Sequence, residues 1–154
     1  SAAVAILREL PDVYEYYVLG DSTIVFDLAD GTQVARSDKR LSQLAPAERD
    51  RARRNVRGSY WIASANPDAA ARGRQGHIGR GDLRRAALLS DGAAAVVERY
   101  ELLDWRSALD AMDEGGPRAI IRAARDAEDS DPLAERWPRS NVHDDATVVL
   151  CTPD

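Results

Sequence analysis

The stretch Val13-Tyr14-Glu15-Tyr16-Tyr17-Val18-Leu19-Gly20-Asp21-Ser22-Thr23-Ile24-Val25-Phe26-Asp27-Leu28-Ala29-Asp30-Gly31 decides the fold. β-Branched and aromatic residues crowd 13–19 and 23–28, the composition of strands buried on a pleated surface. Ala29-Asp30-Gly31 reads as a hairpin turn, with glycine where a positive φ is wanted. Thr32 to Arg36 then returns. With a short strand over 2–6 ahead of it, the first third reads as an antiparallel meander.

Outward from there, Pro46 to Arg57 predicts a helix, with proline in its first turn and Gly58 just past its end. Arg49, Arg53 and Arg57 would share one of its faces. Ser59 to Ala65, with Tyr60, Trp61 and Ile62, predicts a strand. Asn66 to Gly81 holds Gly73, Gly76, Gly79 and Gly81 and little apolar content, so it predicts a mobile loop or flap. A strand over 85–90, helices over about 93–103, 105–113 and 118–128, a loop over 129–142 and a closing strand over 147–151 complete the pass. Strands, one helix, strands, a helical block and a last strand make one α+β domain segment over 1–154. The order points to a layered sandwich with antiparallel sheets rather than alternating βαβ units.

The chain has 154 residues, 44% hydrophobic and 31% charged, and a net charge of −5. That length allows a sizeable core. No apolar run approaches the ~20 residues of a membrane helix. Cys151 is the only cysteine, which excludes an internal disulfide and points to a reducing, cytoplasmic setting. It lies in an apolar strand and reads as an inert thiol. Residues 39–85 carry 12 Lys/Arg against 4 Asp/Glu, while 98–145 carry 7 Arg against 13 Asp/Glu. The basic block would suit a phosphorylated partner or nucleic acid, but those arginines lack the aromatic platform that single strands stack on. There is no Gly-x-Ser-x-Gly elbow, Walker phosphate loop, Cys-x-x-Cys or zinc-spaced histidine pair.

Three short acidic segments carry the chemistry. They are Gly20-Asp21-Ser22, Ser90-Asp91-Gly92 and His143-Asp144-Asp145-Ala146-Thr147-Val148, each at a predicted strand end. Carboxylates held at rigid strand ends suit a hard divalent cation. In order, strand context and spacing (70 residues, then 53) these segments resemble those of type 2C metal-dependent Ser/Thr protein phosphatases.

The resemblance spans nearly the whole chain and matches the C-terminal part of that family's catalytic domain. It implies part of a four-layer α-β-β-α sandwich and a site for two or more Mn²⁺ or Mg²⁺ ions. It also implies a signalling role: hydrolysis of phospho-Ser/Thr in phosphorylated proteins by a metal-activated water. By the same resemblance Asp91 and Asp144 are metal ligands, Asp21 serves an additional ion, and Gly92, Asp145 and His143 stand behind them. The family's N-terminal acidic pair, its Asp-Gly-His-Gly-Gly-type motif and its phosphate-holding arginine have no match here, and Ala95 stands where an acidic residue is frequent. The expectation is therefore a chain inactive alone, completed by a missing N-terminal half. The competing expectation is a non-catalytic regulatory or partner-docking module of the same fold.

Overall fold

The computed structural model describes residues 1–45 and 48–153. Seven strands form two antiparallel sheets. The first has the order β1 (Val4–Glu9), β2 (Val13–Leu19), β5 (Arg74–Gly79). The second has the order β4 (Gln33–Ser37), β3 (Thr23–Leu28), β6 (Leu83–Leu89), β7 (Val148–Cys151). Helices α2 (Asp91–Glu98), α3 (Trp105–Gly115) and α4 (Arg118–Ser130) follow β6, and a single turn, α1 (Arg40–Gln43), follows β4.

The sheets pack face to face. Tyr14 and Val18 of β2 meet Ile24 and Phe26 of β3, with Leu83 and Ala86 of β6. On the opposite face of the second sheet, Val25, Ala87 and Leu89 pack against Val96, Leu109, Met112, Ile120 and Ala124 of the helices. The layers are thus helices, four-stranded sheet and three-stranded sheet, the α+β architecture expected, with antiparallel pairing throughout. On the outer face of the three-stranded sheet, the described residues place the 59–72 segment, where Trp61 and Ala69 cover Leu19.

The meander does not form. The chain leaves the first sheet after β2 and enters the second with β3, turning at buried Gly20, whose φ is 82°. Apolar side chains on both faces of β3 explain the switch. Ile24 and Phe26 face the other sheet while Val25 faces the helices, so β3 needs a layer on each side.

The predicted helix over 46–57 begins outside the described residues, and the part from 48 onward is not α-helical. Among the described residues a 3₁₀ turn, Arg51–Arg53, appears there. Side chains compete for the backbone: Asp50 Oδ1 accepts from the Ala52 amide at 2.9 Å, and Arg49 donates to the Leu44 and Ser42 carbonyls at 3.0 and 3.1 Å. Asn55 then takes φ 57°, so no arginine stripe exists.

The expected strand over 59–65 is irregular and makes one isolated bridge, Ala63 to Ala2. The expected flap over 66–81 is ordered structure. Asn66 caps a 3₁₀ turn (Pro67–Arg72) by accepting from the Asp68 amide at 3.0 Å, and β5 then pairs with β2 along six positions. The glycines are there for close approach. A Cβ on Gly73 would lie 2.2 Å from the Tyr17 ring, and one on Gly76 would lie 2.6 Å from the Tyr16 hydroxyl. Small residues let two aromatic rings lie over the strand.

One buried charge cluster ties the layers together. Arg85 of β6, 2% exposed, donates from Nε to fully buried Asp27 of β3 at 2.8 Å. Its other nitrogens reach Asp110 and Asp113 of α3. Among the described residues no helix is long and apolar enough to cross a membrane.

Candidate functional site

Sheet register assembles the site. In the second sheet Thr23 pairs with Ser37 and Leu89, and Leu89 pairs with Val148. The strands are antiparallel, so the starts of β3 and β7 lie beside the ends of β4 and β6. Asp21 precedes β3, Asp91 follows β6, Asp144 precedes β7 and Asp38 follows β4. All four line one cavity of about 670 Å³.

Each residue of Ser90-Asp91-Gly92 has a separate task. Ser90 Oγ donates to the Asp145 carbonyl at 3.1 Å and accepts from the Thr147 amide at 3.0 Å, which staples the entry of β7 to the end of β6. Asp91 opens α2 and faces the cavity. Gly92 is buried against the Asp144–Asp145 backbone. A Cβ there would lie 2.5 Å from the Asp145 carbonyl oxygen.

The Asp144 loop is held from behind by α4. Fully buried Glu128 accepts from the Asp144 amide and from the Tyr100 hydroxyl, both at 3.3 Å, and from Arg125 at 2.5 Å. Arg125 in turn donates to the Asp144 carbonyl at 2.6 Å. Further along the same loop, Asp131 accepts from the amides of Glu135, Arg136 and Trp137 and from Arg139. Burial raises its carboxyl, but these donors outweigh it and hold it at about 2.

Of the three candidate ligands, Asp91 carries the electrostatic signature. The Asp91 carboxyl is pushed up to about 6, first by burial and then by the charges of Asp21 and Asp144. Its own helix-terminal amide at Gly92 and nearby Arg99 offset only part of this. Carboxylate oxygens are the donors that a hard divalent cation takes. The set is also incomplete: among the described residues no three His, Cys, Asp or Glu side chains form a group arranged to hold a metal ion.

Other candidates fall elsewhere. Asp145 is exposed and outside the cavity lining; its carbonyl, not its carboxylate, meets Ser90. His143 is exposed and bonded to Asp129 at 2.7 Å, and it too lies outside the lining. Cys151 is half-buried, with its thiol pKa raised by burial.

Sequence reasoning missed the rest of the lining. Asp38 is buried and paired with Arg40, Lys39 pairs with Glu98, and Arg54, Arg99 and Arg139 add positive charge. The signal for α2 was available: Asp91, Ala95, Glu98 and Arg99 fall at i, i+4, i+7 and i+8, one helical face. Small Ala95 leaves the space between Asp91 and the charged end of the helix open.

No protein-family model and no curated protein matches this chain. The case for function therefore rests on the cavity and on the residues that build it.

Proposed function

We propose that this chain forms part of the active site of a metal-dependent phosphoprotein phosphatase, acting on phospho-Ser/Thr in a reducing, cytoplasmic compartment. The observation that carries this reading is the convergence of Asp21, Asp91 and Asp144 in one cavity, where burial first, and then the charges of the other two, raise Asp91 to about 6. Mn²⁺ or Mg²⁺, when bound, supplies an activated water and neutralises phosphoryl charge. Asp91 and Asp144 present the carboxylates, and Asp21 serves a further, weaker ion. Ser90 and Gly92 fix the distance between the Asp91 and Asp144 segments, while Glu128 and Arg125 hold the Asp144 backbone from both its amide and its carbonyl.

Two divalent cations bring four positive charges. Asp91 and Asp144 offer two negative ones and Asp21 a third, so a working site takes further ligands from an N-terminal half outside these residues. The test is Mn²⁺ titration by calorimetry and p-nitrophenyl phosphate turnover in the longer protein. Asp91→Ala should lower turnover by more than about a hundredfold, since outer-shell partners of metal ligands alone are worth about 10–100-fold. Retained turnover removes Asp91 from the ligand set.

A second reading is a non-catalytic, partner-docking module of the same fold. The open ligand set and Ala95, which adds no carboxylate beside Asp91, favour it. Full metal-dependent turnover by the longer protein excludes it.

A further inference from the structure

The carboxylates occupy only part of the cavity. Five cationic side chains also line it: Lys39, Arg49, Arg54, Arg99 and Arg139. Two are neutralised by carboxylates, Lys39 by Glu98 and Arg139 by Asp131. Among the described residues, Arg49, Arg54 and Arg99 have no carboxylate partner, and Arg49 is engaged by the Leu44 and Ser42 carbonyls. Arg54 Nη1 donates to Ser1 Oγ at 2.6 Å, and its Nε is buried with no hydrogen-bond partner at all. An unpaired buried guanidinium N–H is costly, and its presence beside the cavity calls for a reason, which an anionic ligand would supply. Arg99 lies at the end of α2, on the face that begins with Asp91, close enough for its charge to act on the Asp91 carboxyl.

We propose that Arg54 and Arg99 form a clamp for the phosphate of a phosphate monoester, beside the Asp21, Asp91 and Asp144 carboxylates. The proposal rests on the metal-dependent phosphatase reading for its chemistry, but the clamp is defined by these arginines alone. Guanidinium groups present planar forks of N–H donors that match tetrahedral phosphate oxygens, and they stay charged at every working pH. A dianion needs more than one such group once it leaves water. The cavity's volume accommodates a phosphorylated side chain rather than a bare ion. Three carboxylates and the two guanidiniums of Arg54 and Arg99, without ion-pair partners within one cavity, match an anionic ligand bridged to a cation.

The test is binding of inorganic phosphate, followed by calorimetry with and without Mn²⁺, in the protein and in Arg54→Gln, Arg99→Gln and Arg99→Lys. Mn²⁺ affinity is measured separately in each, and thermal melts report folding. The expected result is a phosphate Kd raised about tenfold or more in each glutamine variant, the size of one lost charge-assisted hydrogen bond, with Mn²⁺ affinity unchanged. Arg99→Lys should restore only part of the loss, because a point charge lacks the fork. Unchanged phosphate binding in the glutamine variants overturns the clamp and leaves the metal reading standing. Phosphate binding that depends on both arginines in a protein that takes no Mn²⁺ upholds the clamp and removes the metal reading. Absence of phosphate binding in the unsubstituted protein under both conditions overturns the clamp. A phosphoserine peptide binding tenfold tighter than free phosphoserine assigns the ester to a protein, and equal binding assigns it to a small molecule.

Discussion

Ser90 Oγ donates to the Asp145 carbonyl at 3.1 Å, across 55 residues of sequence, and so joins the end of β6 to the approach of β7. The same oxygen accepts from the Thr147 amide at 3.0 Å. One hydroxyl therefore sets the spacing between the Asp91 and Asp144 segments. Ser90→Ala removes both bonds. It should lower stability by about 1–2 kcal/mol, or a melting shift of roughly 2–8 °C for a chain of this size. A melt within 1 °C of the unsubstituted protein contradicts this assignment.

Gly92→Ala acts on the same spacing by steric means. The added methyl meets the Asp145 carbonyl oxygen at 2.5 Å and the Asp144 Cβ at 3.2 Å, and backbone is the part that must move. Overpacking of this kind costs about 1–3 kcal/mol. Mn²⁺ affinity, read by calorimetry, should fall with it, because Asp144 is the residue displaced.

The pH dependence of Asp91 has a definite sign. Its carboxyl sits at about 6 in the folded protein against an ordinary 3.8, so the folded state binds more protons between those values. Stability therefore falls as pH rises from about 4 to about 6. The side chain is partly exposed, so screening reduces the effect to the order of 1 kcal/mol. Urea melts in EDTA at pH 4.5 and 7 should show Asp91→Asn gaining on the unsubstituted protein at the higher pH. Equal differences at both pH values contradict the shift.

Arg85 is the residue whose loss the fold should tolerate least. Its removal leaves buried Asp27 with Gln33 Nε2 at 2.7 Å and only the more distant, largely exposed Arg84 at 3.7 Å, and cuts the tie to α3. Arg85→Leu should cost about 3–5 kcal/mol in urea unfolding, and Arg85→Leu with Asp27→Leu should recover much of it, since the unpaired charge is then gone.

The 73–79 segment gives the clearest contrast between composition and packing. If its glycines serve the rings of Tyr16 and Tyr17, amides of β5 bonded to β2 exchange slowly with deuterium, and Gly73→Ala destabilises by about 1–3 kcal/mol. Fast exchange throughout 74–79 would restore the flap.

These cases mark what can be read from one-dimensional pattern. Val13–Leu19 and Thr23–Leu28 were legible to the residue because their β-branched and aromatic content has no other use. The three acidic segments were legible because each follows or precedes such a run. What failed depended on partners far along the chain. Gly20 turns between sheets because Ile24 and Val25 need opposite layers, and Gly73 and Gly76 read as flexible until Tyr16 and Tyr17 are placed over them. Arg54 and Arg99 carry no local signature; only the folded cavity distinguishes them from the many other arginines.

The register that gathers Asp21, Asp91 and Asp144 also dictates when they meet. Thr23 must find Leu89, and Leu89 must find Val148, before the three carboxylates share a cavity. Contacts of such long sequence separation bear the loop-closure entropy of the intervening chain and set a slow folding rate. The cavity therefore exists only once both long-range strand pairings are in place. A ligand held there would bind only the molecule in which all three strand ends are joined, and would stabilise that joined state by mass action.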